Sequence, residues 1–195
     1  MAGVVLRGAV EIEDPLGVAL GFLEAYGPDD STGTMAPNTF DELDLKRANR
    51  GGARISAAEQ AAVLARRRRI EAALREIPVG ASLAAPTVAW ASLTRLFGGF
   101  GEIRGLGFAK LTKALHGKRP ALIPILDSVV QAYLASDEPA PPEFGERATA
   151  LVRSYKQDLD RNCPALRQVA RGLAQRDYEL TEVRILDVLI WSALS

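Results

Sequence analysis

The sequence predicts an all-α protein, a single helical domain spanning residues 1–195. Three observations carry that prediction. Apolar residues recur at the three-and-four spacing of helices through most of the chain, and the alternation typical of strands is almost absent. Glycine and proline punctuate these segments at ordinary helix lengths. Hydrophobic residues make up 48% of the chain, enough to bury one core and too many for a disordered polypeptide. A length of 195 residues fits one domain, and no internal repeat divides it.

The N-terminal stretch 3–12 (GVVLRGAVEI) is apolar and β-branched, and fits a short strand or an extended arm. Asp14 then stands as an N-cap with Pro15 at the first helical position. Gly27 closes that helix, whose apolar positions are Leu16, Ala19, Leu20 and Leu23. Residues 27–39 (GPDDSTGTMAPNT) form a loop by composition. The segment that follows has no clean period and is broken at Gly51 and Gly52. A connector this long is a surface link, or a functional loop in which Phe40, Asp41, Asn49 and Arg50 make ordered contacts.

Ser56 and Glu59 form a capping box that opens one long helix to about Glu76, with Val63, Ile70, Leu74 and Ile77 inward. Residues 66–69 are consecutive arginines. They sweep roughly 300° of the helix, so at least one must lie along the core edge, pair with a carboxylate or meet a ligand. Pro86 starts a further helix with Leu93, Leu96 and Phe97 on its apolar side, ended by residues 98–101 (GGFG). A helix following Asp127 runs to about Ser136, and 137–142 (DEPAPP) is a stiff linker. Three helices complete the chain at 143–160, 164–175 and 180–194. The last is apolar on most sides and is expected at the centre. Arg184, Asp187 and Trp191 form one stripe on it, with Arg184–Asp187 as an intrahelical pair or Asp187 turned inward.

Formal net charge is zero, but the distribution is uneven. Residues 1–45 hold nine acidic residues against one basic, a net of −8; residues 46–119 hold fifteen basic against four acidic, a net of +11. The domain thus divides into an acidic N-terminal helix and loop (1–45), a basic helical region with a glycine hairpin (46–136) and C-terminal helices (143–195). The basic block is either the footprint of a polyanion or the complement of the acidic flanks across the fold. The one cysteine, Cys163, excludes an intrachain disulfide and a four-cysteine zinc or iron–sulfur site. His116 is the only histidine, so no metal and no cofactor are expected. No apolar run reaches the roughly 18 residues of a membrane helix, and no basic-then-apolar signal opens the chain. A soluble, cytoplasmic protein with no membrane partner is expected.

Residues 103–130 (IRGLGFAKLTKALHGKRPALIPILDSVV) concentrate the features that bear on chemistry. Gly105 and Gly107 flank Leu106 at the start of an amphipathic helix. Two glycines so placed permit a turn with positive φ and bring backbone N–H groups close to a ligand, which suits a phosphate at a helix N-terminus. Lys110 and Lys113 lie on the outer face of that helix and His116 near its end, with Lys118 and Arg119 beyond. The pattern is neither a Rossmann fingerprint nor a Walker A loop, lacking the third glycine of one and the Gly-Lys-Ser/Thr of the other. Gly105, Gly107, Phe108, Lys110, Lys113, His116, Lys118 and Arg119 are therefore the candidate nucleic-acid-binding residues. Asp127, in the apolar segment beyond, either caps the next helix or acts as a carboxylate on a bound ligand.

The pattern Ile103-x-Gly105-Leu106-Gly107-x-x-x-Leu111, with Asp127 twenty residues after the second glycine, resembles the helix-hairpin-helix of the endonuclease III-like DNA glycosylases. That resemblance implies a central helix-hairpin-helix holding a DNA phosphate without sequence preference. It also implies a catalytic role for Asp127, stabilising an oxocarbenium-like sugar once the base is flipped out. Bifunctional members carry a lysine two residues after the second glycine, where this chain has Ala109; Lys110 is one position and about 100° away. Leu111 stands where a small residue is usual, and the cluster-binding cysteines are missing. The resemblance therefore implies a monofunctional enzyme without lyase activity or metal. Trp90, Phe97, Phe100 and Tyr133 are the nearby aromatics for a base pocket, and each equally fits the core. The same stretch also resembles an uncharacterised bacterial family of unknown function, in its Gly-x-Gly, Lys-Arg-Pro and Asp-Ser elements.

Three functions follow as expectations. The first is a helix-hairpin-helix protein binding the backbone of duplex DNA without strong sequence specificity. The second is a monofunctional DNA glycosylase-like enzyme using Asp127. The third is a helical structural or interaction protein with no nucleic-acid role.

Overall fold

The computed structural model describes residues 3–27, 36–136 and 139–195. Among them nine α-helices carry the fold and two two-residue strands pair near the N-terminus, so the class is all-α. The strands β1 (Val4–Val5) and β2 (Glu11–Ile12) form an antiparallel hairpin, with Val4 opposite Ile12. The arm is pinned from outside its own ladder. The Asn162 side chain accepts from the Val5 N–H and donates to the Val5 carbonyl, each at 2.9 Å, and the Arg7 guanidinium meets Asp158 at 2.6 Å.

Helix α1 (Pro15–Tyr26) begins and ends where its caps demand. Asp14 accepts from the Gly17 N–H, Pro15 supplies the first turn, and Gly27 leaves the helix at φ 75°. Residues 28–35 of the expected loop lie outside the described residues. The aperiodic segment after it holds a helix, α2 (Glu42–Arg50), started by a reciprocal capping box between Asp41 and Asp44. Phe40 is fully buried, and its N–H donates to the Glu71 carboxylate at 3.0 Å. Asn49 closes the other end by bonding the Ile55 N–H and carbonyl. The ordered contacts expected of Phe40, Asp41 and Asn49 are therefore structural.

The single helix expected from Ser56 to Glu76 is two, α3 (Ala57–Ala65) and α4 (Arg67–Arg75). They break at Arg66, whose backbone leaves the helical region at φ −98°, ψ 6° and whose guanidinium turns to the Gly101 carbonyl and Glu102. Arg67 pairs with Glu71, while Arg68 and Arg69 lie exposed. Helix α5 (Trp90–Gly98) starts four residues later than Pro86 suggests. The connection 99–107 leads into α6 (Phe108–His116), and α7 (Ser128–Tyr133) is shorter than expected.

The largest departure is α8 (Phe144–Ala174), a 31-residue helix where the sequence suggests two helices separated before Pro164. Proline removes one backbone bond and strains its turn. Pro164 lies on the exposed side, and the Asp160 carbonyl that loses its partner belongs to an exposed residue, so it is open to solvent. Helix α9 (Glu182–Leu194) is central as predicted: Val183 and every residue from Ile185 to Ile190 are buried. It packs on α8, where the Tyr155 hydroxyl donates to the Val183 carbonyl at 2.7 Å. Helices α5 and α8 approach closely at Gly145, where a Cβ would sit 2.5 Å from the Thr94 carbonyl. Of the expected linker 137–142, residues 137 and 138 lie outside the described residues.

Candidate functional site

A cleft of about 600 Å3 opens between α1, α2, α6 and α9. Several kinds of side chain line it. Phe22 and Tyr26 from α1 and Trp191 from α9 make an aromatic wall, with both rings of α1 edge-on to the indole at 5.6 and 5.3 Å between centroids. Arg47 and Arg50 from the end of α2, Lys113 from α6 and Arg184 from α9 supply positive charge. Asp44, His116, Asp127 and Asp187 also line it, with Ala48, Ile125, Val130 and Val188 among the apolar remainder.

Four cations thus face three carboxylates, and two of these contribute little negative charge near neutral pH. Asp44 is buried in an ion pair with Lys118 at 2.6 Å. Asp187 is 3% exposed, and burial pushes its pKa up to about 7, with the neighbouring charge of Asp127 pushing the same way. The Arg184 charge, the Ile125 amide and the Tyr155 hydroxyl oppose this but do not cancel it. Below neutrality the cleft therefore favours an anionic ligand. The His116 Nδ1 lies 2.6 Å from the Ile123 carbonyl, which makes Nδ1 the protonated nitrogen. Asp127 is the N-cap of α7, its Oδ1 accepting from the Val130 N–H at 3.0 Å, and the residue also lines the cleft.

The predicted binding residues separate into three groups. Lys113, His116 and Asp127 come together in the cleft. Gly105, Gly107 and Lys110 lie at the opposite end of α6. Gly105 adopts φ 85° and is exposed, and a Cβ there would meet Glu59 Oε1 at 2.5 Å. Gly107 is exposed but at φ −82°, so only one of the two glycines needs its conformational freedom. Lys110 is paired with Glu59 at 2.7 Å, and that ammonium holds the Glu59 pKa below the usual carboxylate range.

Phe108, Lys118 and Arg119 form the third group, half-buried in the first case and buried in the other two, with their contacts inside the fold. Phe108 packs on the Phe144 ring at 4.9 Å. Lys118 is 4% exposed and spent on Asp44. Arg119 is fully buried and donates to the carbonyls of Leu74, Ile77, Pro37 and Lys118 and to Asn38 Oδ1. A cationic side chain on a turn looks the same in sequence whether its acceptors are phosphates or backbone carbonyls.

The sequence profile of a protein family of unknown function, DUF6308, matches residues 22–194. The chain belongs to the DUF6308 family. No curated protein and no solved structure matches it. In this DUF6308 protein every residue lining the cleft, from Phe22 to Trp191, falls within the matched span, whereas the β1–β2 arm falls outside it. Sequence reasoning placed the aromatic neighbours of the site at Trp90, Phe97, Phe100 and Tyr133. The structure puts Phe97 and Phe100 in the core, Trp90 under Arg153 at 4.4 Å and Tyr133 against the arm, where its hydroxyl accepts from the Arg7 N–H. The aromatic wall of the DUF6308 cleft was signalled only by Phe22 and Tyr26 lying four apart on α1 and by the Arg184–Asp187–Trp191 stripe on α9.

Proposed function

We propose that this protein binds DNA by its phosphate backbone and admits one nucleotide to the cleft. The observation that carries this reading is the cleft itself, nucleotide-sized, with an aromatic wall on one side and Arg47, Arg50 and Lys113 along another. Aromatic faces stack bases, and Lys and Arg neutralise phosphates. The exposed Gly105 and Gly107 lie at the N-terminus of α6, while Lys113 and His116 near its other end line the cleft. A nine-residue helix spans roughly 13 Å, so a phosphate held at the glycine turn would flank a nucleotide held in the cleft. The resemblance of residues 103–130 to a helix-hairpin-helix supports the same placement.

The test is binding of a fluorescent duplex at low and moderate salt. Affinity is expected to fall steeply with salt, and R47A/R50A/K113A to weaken binding at least tenfold and flatten the salt slope by about three. No binding at low salt overturns the reading.

A second reading, a monofunctional enzyme that releases a base, is favoured by one observation: Asp127 lines the cleft rather than being closed off beneath α7. A carboxylate there can stabilise positive charge developing on the sugar. Base release from a damaged duplex, lost in D127N with duplex binding retained, would establish it. Absence of release from every lesion tested, in a protein that binds those duplexes, leaves backbone binding alone.

A further inference from the structure

We propose that Arg54, on the loop between α2 and α3, is a phosphate contact for a DNA strand that runs from the cleft to the glycine turn. The inference rests on the backbone-binding reading above and adds to it the course of the strand and the residue that meets it midway.

Residues 51–56 lie along α6. At one end the Lys113 ammonium donates to the Gly51 carbonyl at 2.8 Å, and Gly51 and Gly52 line the cleft. At the other, just past the loop, Glu59 holds Lys110 at 2.7 Å and stands against Gly105. The loop is therefore a ledge leading from the cleft to the glycine turn. Its backbone is held firmly. The Ala53 N–H donates to the Ala48 carbonyl at 3.0 Å. Asn49 accepts from the Ile55 N–H at 2.6 Å, and both Asn49 and Gln60 donate to the Ile55 carbonyl, at 3.0 and 2.9 Å. Ala53 and Ile55 are buried, and Arg54 between them is exposed at φ 55°. Glycine takes that left-handed backbone more readily than arginine does, so the turn itself does not call for an arginine. Among the described residues Arg54 makes no ion pair.

Gly107 and Lys113 are six residues apart along α6, about 9 Å. Successive phosphates of one strand lie about 3.4 Å apart along the duplex axis, so a strand held at both points carries about two more phosphates between them. The one α6 cation in that interval, Lys110, is spent on Glu59, which is also the only acidic residue in 51–59 and 104–113. Arg54 is the only charged residue of the ledge, and its guanidinium is the group left to meet the intervening phosphates. A guanidinium takes a phosphate through two parallel hydrogen bonds, and the clamped backbone on either side presents it in place.

The test is binding of a fluorescent duplex, with one unpaired nucleotide to mark the register, read by anisotropy over a range of salt. R54G removes the guanidinium and suits the backbone, so it is expected to melt no lower than the wild type. Its affinity is expected to fall about eightfold at roughly 0.1 M salt and its salt slope to drop by about one, the share of a single phosphate contact. R54K, which keeps the charge, is expected to bind within about threefold of the wild type with the slope unchanged. R171A, an exposed arginine of α8 that lines neither the cleft nor the ledge, is expected to change neither. Neutral methylphosphonate links, scanned outward from the unpaired nucleotide, are expected to weaken the wild type at a position that R54G no longer senses. R54G binding like the wild type, an equal loss in R54K, or no such position in the scan overturns the role of Arg54 while leaving backbone binding intact. No binding by the wild type at low salt overturns backbone binding and this inference with it.

Discussion

Arg119 is fully buried, and its hydrogen bonds go to uncharged oxygens. Two of these, on Leu74 and Ile77, end α4, where a cation also meets the negative end of the helix dipole. Burial lowers its pKa, but a guanidinium stays charged across the accessible range. R119M is therefore expected to cost about 3 kcal/mol or more in urea unfolding, because it leaves several buried carbonyls without donors. Asp187 acts in the opposite sense. Below about pH 4 its carboxyl is protonated in both folded and unfolded chains and nothing is lost. Between pH 4 and 7 the unfolded chain ionises while the folded one does not, so stability falls, levelling above pH 7 at a cost on the order of 4 kcal/mol. The melting temperature of D187N is expected to rise above that of the wild type by a margin that widens from pH 4 to pH 7. A constant margin would contradict it. At this scale the sequence exposed which residues carry charge but not where they point. Lys118, Arg119 and Lys113 read alike, and only their partners on distant segments, the Asp44 carboxylate for Lys118 and backbone carbonyls for Arg119, sort them.

At the scale of elements, the glycine turn before α6 makes a sharp contrast. Gly105 combines φ 85° with a Cβ position 2.5 Å from Glu59 Oε1, while Gly107 has ordinary φ and open space around it. G105A is expected to destabilise by about 1–3 kcal/mol and to loosen the Lys110–Glu59 pair, whereas G107A should lie within about 0.5 kcal/mol of wild type in chemical denaturation. Helix positions with strong local signals were legible: Asp14 with Pro15, Ser56 with Glu59, and the apolar α9. The α3–α4 break was not, because it depends on Arg66 finding Gly101 and Glu102 on a later segment. Nor was the continuity of α8, since proline in an exposed turn costs a helix less than a sequence rule assumes when the freed carbonyl is open to solvent. The aperiodic α2 is short and polar and is held by its capping box, so hydrophobic period could not reveal it.

Across the whole molecule, the acidic N-terminal segment (1–45) and the basic middle block (46–119) meet in a buried ion pair, Lys118–Asp44, with both side chains 2% exposed. Removing one partner strands the other charge, and K118M is expected to cost about 3–5 kcal/mol, read as a shift in the urea midpoint without a change in slope. The middle block's own glutamates pair within it, as in Lys110–Glu59, Arg67–Glu71 and Arg95–Glu76, but four glutamates leave most of its fifteen basic residues in excess. The net charges of the thirds could be counted from sequence, but which of them face one another could not.

The aromatic wall has a consequence for the order of assembly. Phe22 and Trp191 touch across roughly 170 residues of intervening chain, and closing a loop of that length costs on the order of 4–5 kcal/mol of chain entropy. Local pairs such as α4 with α5 incur far less. The packing of α1 against α9 is thus expected to consolidate last in folding and to open first in the native ensemble. Amides in the second half of α1 should exchange with solvent well ahead of those in the middle of α8. The cleft is then also the seam along which the molecule breathes, and whatever occupies it binds the two ends of the fold together.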